Sequence, residues 1–535
     1  MIEKVIFGAE ARESVMQGLQ EAALAIIQTY GPAGRNIIYN IGGIEVRSTK
    51  DGVSVARQIN FADKGKNQGA QLLRQACEET VDVSGDGTTL SALLAYNLVK
   101  SAEEHLKNGV NPNKLKVGIE KGIAQVIEQI KEKSIPCDTN EKIFNVATIS
   151  GNNDPELGRI VAEAYEKIGI DGMVTLQRSK TGDTFVEHMT GMQIDAGFIS
   201  PYFVNTEKFT VELKNVAVIL CAQELMKLSG SIGKEGVPEK GILGILDKCV
   251  KEGLNVLIIA KDVDSEVISG LFTNKKVMAS AAVRCPFHGI MQKELLEDIA
   301  AATGATVIDT EKGLDYSTML WEHVGYAKSV TVGNKDTKII GGGGNTEERV
   351  KILRSEYELR KDEVLKKRLA RLAGGVSVIN VGGLTDLEFS ETLDRYDDSV
   401  KAVSTAIQGG IVEGGGCAML NVEMYDDTQG EDERKGFMLV KGLLSAPIRQ
   451  ILKNAGIKER DKWWKFWVRN EISETIRNMK AWDEGFNALT MEYDEDMIES
   501  GIVDPAMVIV NALKNACSVA STVILTGGVI LPKEN

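Results

Sequence analysis

Val216-Ala217-Val218-Ile219-Leu220 is a short, continuous apolar run rich in β-branched residues, and Asn255-Val256-Leu257-Ile258-Ile259-Ala260 repeats its character. Runs of this length suit strands covered on both faces, as in a largely parallel sheet. Helical patterns at Gly241–Glu252 and Gln292–Thr303 accompany them. Strand, helix, strand, helix implies an α/β domain in the middle of the chain. A charged helix pair over Glu347–Leu372 follows it.

Outward from that middle, both ends read as helical. Glu10–Thr29 carries Val15, Leu19, Ala22, Ala23 and Ile26 on one face and stops at Gly31-Pro32. Asn36–Tyr39 and Ile44–Val46 predict a short hairpin around Gly42-Gly43. Helical patterns return at Asn67–Val81, Thr88–Lys107 and Asn113–Lys131, then break at Pro136. On the far side, Ser399–Ile407, Gly415–Met424 and Asp504–Ser521 are helical. The simplest architecture is one discontinuous domain built from both ends, with the α/β domain inserted.

Composition narrows the function. The 535 residues are 43% hydrophobic and 26% charged, enough for large buried cores. Acids outnumber bases by 76 to 62, a net charge of −14, which argues against nucleic-acid binding. No apolar run approaches the ~18 residues of a membrane helix. The start, Met1-Ile2-Glu3-Lys4, is not a signal peptide. The seven cysteines are scattered without a C-x-x-C pair and read as reduced core thiols of a cytosolic protein. The four histidines are scattered too, so a histidine metal site is not expected.

Chemistry concentrates at Ser84-Gly85-Asp86-Gly87-Thr88-Thr89, at the start of a helical pattern. Glycines permit close ligand approach, and a helix N-terminus offers free N–H groups to phosphate. Asp86 adds a hard oxygen suited to Mg²⁺. The same residues also fit an aspartate N-cap after a turn. The P-loop pattern is absent. Thr29-Tyr30-Gly31-Pro32, Lys50-Asp51-Gly52 and Gly414-Gly415-Gly416 read equally as ligand loops or plain turns, and Asp397-Asp398 as a solvated face.

Taken in order, these motifs resemble the GroEL family, the group I chaperonins, over nearly the full length. The resemblance is carried by Tyr30-Gly31-Pro32, Thr49-Lys50-Asp51-Gly52-Val53-Ser54-Val55-Ala56, Gly85-Asp86-Gly87-Thr88-Thr89 and Ala147-Thr148-Ile149-Ser150. Ser200-Pro201-Tyr202-Phe203, Leu372-Ala373-Gly374-Gly375-Val376, Glu413-Gly414-Gly415-Gly416, Phe486-Asn487-Ala488 and Gly501-Ile502-Val503-Asp504-Pro505 continue it.

The resemblance implies a multidomain α+β fold. It has a helical equatorial domain at 1–134 and 410–535, a small intermediate domain at 135–190 and 375–409, and an α/β apical domain at 191–374. It implies hinges at Pro136 with Gly410 and at Gly191 with Gly374. It implies ATP with Mg²⁺ and K⁺, held by Thr29, Tyr30, Gly31, Pro32, Lys50, Asp86, Gly87, Thr88, Thr89, Leu90, Gly415, Asn487, Ala488, Ile502 and Asp504. Asp86 is the implied metal ligand. Asp398 would activate the attacking water, assisted by Asp51. Phe198, Tyr202, Phe203, Leu243, Leu246, Ile268 and Phe272 would bind non-native client proteins. The assembly would be a homo-oligomeric ring, a heptamer in one or two layers, working with a small lid co-chaperonin in a bacterial or infected-host cytoplasm. A slow, non-cycling client-binding scaffold is the alternative.

Several positions depart from the family. Leu90 stands where a third threonine is usual, which removes a hydroxyl from the phosphate loop. Ala196 replaces an arginine that pairs with the acid at Asp386. Met226–Gly241 carries an insertion. A second insertion brings Trp463, Trp464, Phe466 and Trp467, with Trp482 beyond it. That cluster is either a local packing element or a remodelled contact between rings.

Overall fold

The computed structural model describes residues 2–532 except 42–44, 171, 180, 190, 207–208, 233–237, 361, 459–470 and 480–483. The chain forms two compact units, one of Met1–Ala162 with Gly383–Asn535 and the other of Glu163–Gly382. The inserted arrangement expected from the sequence is therefore observed. The division falls inside the segments expected to form an intermediate domain.

The first unit is a bundle. Helices Gly8–Ile27, Lys64–Ser84, Thr88–Lys107, Pro112–Lys133, Glu431–Leu443 and Ala506–Ile524 share one apolar core. Their buried residues follow the helical period, as Val15, Leu19, Ala22, Ala23 and Ile26 show on the first. Gly118 lets two helices touch, since a Cβ there would lie 1.9 Å from Glu433 O. Ala506–Ile524 corrects the statement that no segment is long and apolar enough to span a membrane. It has 19 residues and passes that test by length and composition, yet 67% of its most apolar window is buried inside the protein. It is the central helix of this core. The two chain ends pair as antiparallel strands, Ile2–Phe7 with Gly528–Pro532.

Two local readings change. Ile37–Ile41 and Glu45–Thr49 pair as the expected hairpin, whose turn lies outside the described residues. The expected helix Gly415–Met424 shrinks to Cys417–Leu420. Beyond Asn421 the backbone is taken over by side chains of the Pro112–Lys133 helix. Gln129 and Gln125 accept from the N–H groups of Glu423 and Tyr425 at 3.0 and 3.1 Å, and donate back to their carbonyls.

The second unit is the α/β part. Its main sheet runs Ser280–Arg284, Asn255–Val263, Val211–Leu225, Gly325–Val332, Thr337–Gly342, Gly191–Ile194, with Val307–Ile308 beside Val211–Leu225. The parallel centre is fully buried at Val218, Ile219, Leu220, Leu257, Ile258 and Ile259. That is why those runs lack a polar alternation. A three-stranded sheet, Met173–Arg178, Val376–Val381 and Phe185–Met189, belongs to the same unit. All seven cysteines are buried and free, as expected.

The charged helix pair is observed as Glu347–Arg360 and Glu363–Gly374. Its charges are not merely solvated. The buried Asp298 accepts from Arg349 Nε at 2.8 Å and from Arg368 Nε at 2.8 Å and Nη2 at 3.0 Å. Removing one partner of a buried ion pair costs about 3 kcal/mol. Arg368→Ala should lower this unit's unfolding free energy by about that amount, read as a lower urea midpoint at unchanged m, and an unchanged midpoint would show that the cluster carries no stability.

Candidate nucleotide and client sites

The site in the first unit begins where the Lys64–Ser84 helix stops. Gly85 (φ +74°) ends that helix, and Gly87 (φ +96°) starts the Thr88–Lys107 helix. Both need the left-handed conformation that glycine adopts at little cost. The N-cap is Gly87, and no side chain caps the helix. Asp86 is therefore not the cap that sequence spacing also allowed. Its carboxylate instead accepts from the Gly87 N–H, and nearby Ser150 helps to offset the rise in its pKa. The uncapped first turn leaves N–H groups and the positive end of the helix dipole for an anion.

The threonines divide. Thr88 is buried. Thr89 Oγ1 lies 3.2 Å from Thr29 Oγ1, whose own proton goes to Ile26 O at 2.8 Å, so Thr89 is the donor. Leu90 turns into the helical core, which leaves only its backbone near the loop.

Further segments carry the other expected site residues. Asn454 Nδ2 donates to Ile27 O at 3.1 Å and Tyr30 O at 2.9 Å, which fixes the Thr29–Pro32 bend. Lys50 donates to Pro32 O at 3.1 Å, and its burial lowers its pKa. Asp51 caps the Gly52–Gln58 helix, accepting from Val53 at 3.1 Å and Ser54 at 2.8 Å. Gly52 abuts the loop, since a Cβ there would lie 2.5 Å from Thr89 Oγ1. On another side, Asp504 sits opposite Val412 in the pairing of Ile411–Glu413 with Val503–Pro505. Gly414 N–H donates to Ile502 O at 2.8 Å, and Gly415 is left-handed at φ +66°. Asn487 turns its hairpin by accepting from Leu489 at 3.0 Å and Thr490 at 3.3 Å, and Ala488 is buried.

Asp398 comes from the Asp386–Gly409 helix. The backbone of that helix lies on the phosphate loop, for a Cβ on Gly85 would fall 2.1 Å from Lys401 Cβ. Arg395 anchors it nearby, donating to Asp154 at 2.7 Å and Gly151 O at 2.9 Å.

The carboxylates feel one another. Burial, then the charges of Asp86, Asp51 and Asp397, push Asp398 up to about 8, against the pull of Lys401. Burial and Asp86 push Asp504 up to about 7. Asp86 itself is raised, by the protein crowded around it and by Asp51, although its side chain keeps a solvent-exposed face. Tyr30 is raised by burial and by Asp504 and Asp86. The result is a concentrated negative potential beside an anion-binding helix start, which suits a cation shared with a phosphate. Among the described residues no three His, Cys, Asp or Glu side chains form a metal site by themselves. A metal here would complete its shell with ligand oxygens.

The model of the TCP-1/cpn60 chaperonin family matches residues 23–534. The chain belongs to that family. It has the chaperonin fold, as two crystal structures of the chaperonin gp146 from the bacteriophage EL 2 (Pseudomonas aeruginosa) also show. Both were determined in presence of ATP-BeFx. One superposes with a TM-score of 0.70 at 22% identity, covering 100% of each chain. The other crystal form gives 0.63 at 22% identity, covering 99% of each.

In this chaperonin chain the expected client residues fall into three groups. Tyr202 and Phe272 are exposed, at 66% and 45%, with ring centroids 5.3 Å apart. Phe198, Leu243 and Ile268 are half-buried. Phe203 and Leu246 belong to the core of the second unit and support the surface rather than form it. The tryptophan cluster at 463–467 and Trp482 lie outside the described residues. Sequence reasoning gave no role to Arg395 or Asp154. Their bonds join segments far apart in the chain, and no local spacing announces them.

The raised acids have a sign. Between about pH 4, the unfolded value, and pH 8 the folded protein holds a proton on Asp398 that the unfolded chain has lost. Stability therefore falls as pH rises through that window. Asp398→Asn should stabilise the ligand-free protein at pH 8 by on the order of 1 to 2 kcal/mol, after discounting for solvent at this half-buried group. The gain should vanish near pH 4. Thermal unfolding of both proteins across that range is the check, and a gain independent of pH would refute the assignment.

Proposed function

We propose that this chain is the subunit of a ring-shaped, ATP-hydrolysing chaperonin that holds non-native proteins and releases them to fold. The observation that carries the reading is the gathering of Asp51, Asp86, Asp398 and Asp504 around an uncapped, glycine-flanked helix start. The ATP analogue in the matched phage structures supports a nucleotide there.

The residues divide the work. Backbone N–H groups at Thr88, Thr89 and Leu90 would take phosphate oxygens with Gly87 giving them close approach, and Asp86 would hold Mg²⁺. Thr29 to Pro32, Gly415, Asn487, Ala488, Ile502 and Asp504 enclose the base and sugar. Lys50 helps to place K⁺ through its backbone. The bound Mg²⁺ supplies charge neutralisation on the phosphates, and catalysis is otherwise positioning. Asp398 orients the attacking water and accepts its proton. It can do so only when ionised, and at neutral pH burial, then the charges of Asp86, Asp51 and Asp397, oppose that. A cation paired with Asp86 would remove part of that opposition and favour the ionised base. Asp51 acts at a distance, as a charge, since both of its oxygens serve as a helix cap.

The three-part division stands within the same proposal: 1–134 with 410–535 for nucleotide, 191–374 for clients, and 135–190 with 375–409 between them. The exposed pair Tyr202 and Phe272, flanked by Phe198, Leu243 and Ile268, offers apolar surface to unfolded chains. A lid co-chaperonin would compete for that surface. The phage origin of the matched structures supports a virus-encoded protein acting in the cytoplasm of an infected bacterium.

Two measurements test this. MgATP turnover should be steady in the wild type and fall about a hundredfold in Asp398→Ala, the usual worth of a general base. Native mass should be about 410 or 810 kDa for one or two closed rings of about seven chains, each chain being 58.1 kDa. An intact ring without turnover would identify a non-cycling scaffold, and a monomer would sink the cage.

A further inference from the structure

The Asp386–Gly409 helix is tied to the phosphate loop by more than packing. Hydroxyls inside helices commonly bond back to their own preceding turn. Two hydroxyls of this helix bond outside it. Ser399, fully buried, donates to Ala147 O at 3.0 Å. That carbonyl also accepts the Gly151 N–H at 2.9 Å, so the bond lands on the last turn of the Asn140–Ser150 helix. Ser150, in that turn, is near enough to Asp86 to lower its pKa. Thr405 Oγ1 donates to Ser84 O at 3.2 Å, on the residue before Gly85. Ser84 is held from its other side by Asn511 Nδ2 at 2.7 Å.

The spacing gives these bonds a direction. Asp398, Ala402 and Thr405 are separated by four and three residues and so share one helical face. Ala402 on that face is the residue whose backbone N lies 3.0 Å from the position of a Gly85 Cβ. Ser399 is the immediate neighbour of Asp398. Both bonds lie on the C-terminal side of Asp398, one beside it towards the end of the Asn140–Ser150 helix and one about two turns further on, towards the start of the loop.

We propose that Ser399 and Thr405 are positioning residues, two hydroxyl latches that seat the Asp398 turn on the phosphate loop and set the rate of the hydrolytic step rather than the affinity for nucleotide. The proposal rests on the ATP-hydrolysis reading above. Neither hydroxyl is among the residues that enclose the nucleotide. Loss of Ser399 Oγ does not orphan Ala147 O, because the Gly151 N–H remains bonded to it. The fold therefore survives the substitution while the seating loosens.

The test uses the full chain and the variants Ser399→Ala, Thr405→Ala, their combination, and Thr405→Ser. Single-turnover hydrolysis at saturating MgATP should fall about fivefold for each alanine, the usual net worth of one hydrogen bond, and further in the double variant. The Kd of a non-hydrolysable ATP analogue should stay within about twofold by the same reasoning, because no bond to nucleotide is lost. Thr405→Ser, which keeps the hydroxyl, should recover most of the rate. Hydrogen exchange of the 145–151 and 84–91 segments should quicken in the alanine variants and return in Thr405→Ser.

An active wild type with unchanged alanine variants overturns the latch. So does a parallel loss of rate and analogue affinity, which would make these residues part of the nucleotide site. A wild type that binds the analogue but does not turn over MgATP instead overturns the hydrolysis reading. In that case exchange still decides the seating, and unchanged exchange removes it.

Discussion

One missing side chain organises the candidate nucleotide site. Gly85 has no Cβ, so the backbone of the Asp386–Gly409 helix can lie against the loop that joins two helices of the bundle core. From that approach follow the nearness of Asp398 to Asp86 and Asp51, whose charges add to burial in raising the pKa of Asp398, and the reach of Ser399 and Thr405 to main-chain carbonyls. A methyl group at Gly85 would meet Lys401 while also forcing a left-handed alanine. The site is thus built from a steric permission rather than from any single strong bond.

The electrostatic design follows the same logic. Repelling carboxylates are expensive to hold together, and a protein tolerates such a cluster where a cation and phosphates will occupy it. The cost is met by the surrounding frame. The helix bundle is closely packed, the Thr29–Pro32 bend is tied by Asn454, and Arg395 clamps the helix that carries Asp398. The repulsion is concentrated at one loop, and the core that holds it is apolar and buried.

Much of this was legible in the sequence. The helical ends and the α/β middle follow from periodicity, and Thr88–Lys107 and Gly241–Glu252 have the bounds their patterns imply. The parallel strands at Val216–Leu220 and Asn255–Ala260 announce themselves by unbroken apolar runs. The stretch after Gly416 does not, because its helix is cut short by glutamines of a distant helix. The site was partly legible. Gly85 to Thr89 carries its own signal in two glycines before a helix. Asp398 carries little, since its meaning depends on packing against a loop some three hundred residues earlier. Phe203 and Leu246 show the opposite error, as apolar residues beside a surface patch can equally be its foundation.

The cysteines have a practical consequence. Every thiol is buried, and burial pushes Cys77, Cys221, Cys249, Cys285 and Cys417 up to about 12 and Cys137 and Cys517 to about 11. Hardly any thiolate exists at neutral pH to react with a maleimide. A cysteine introduced on the surface would then be the fastest to label, with no need to strip the native ones. A dye placed that way on the helix that carries Asp398 would report by fluorescence on its surroundings without a cysteine-free background.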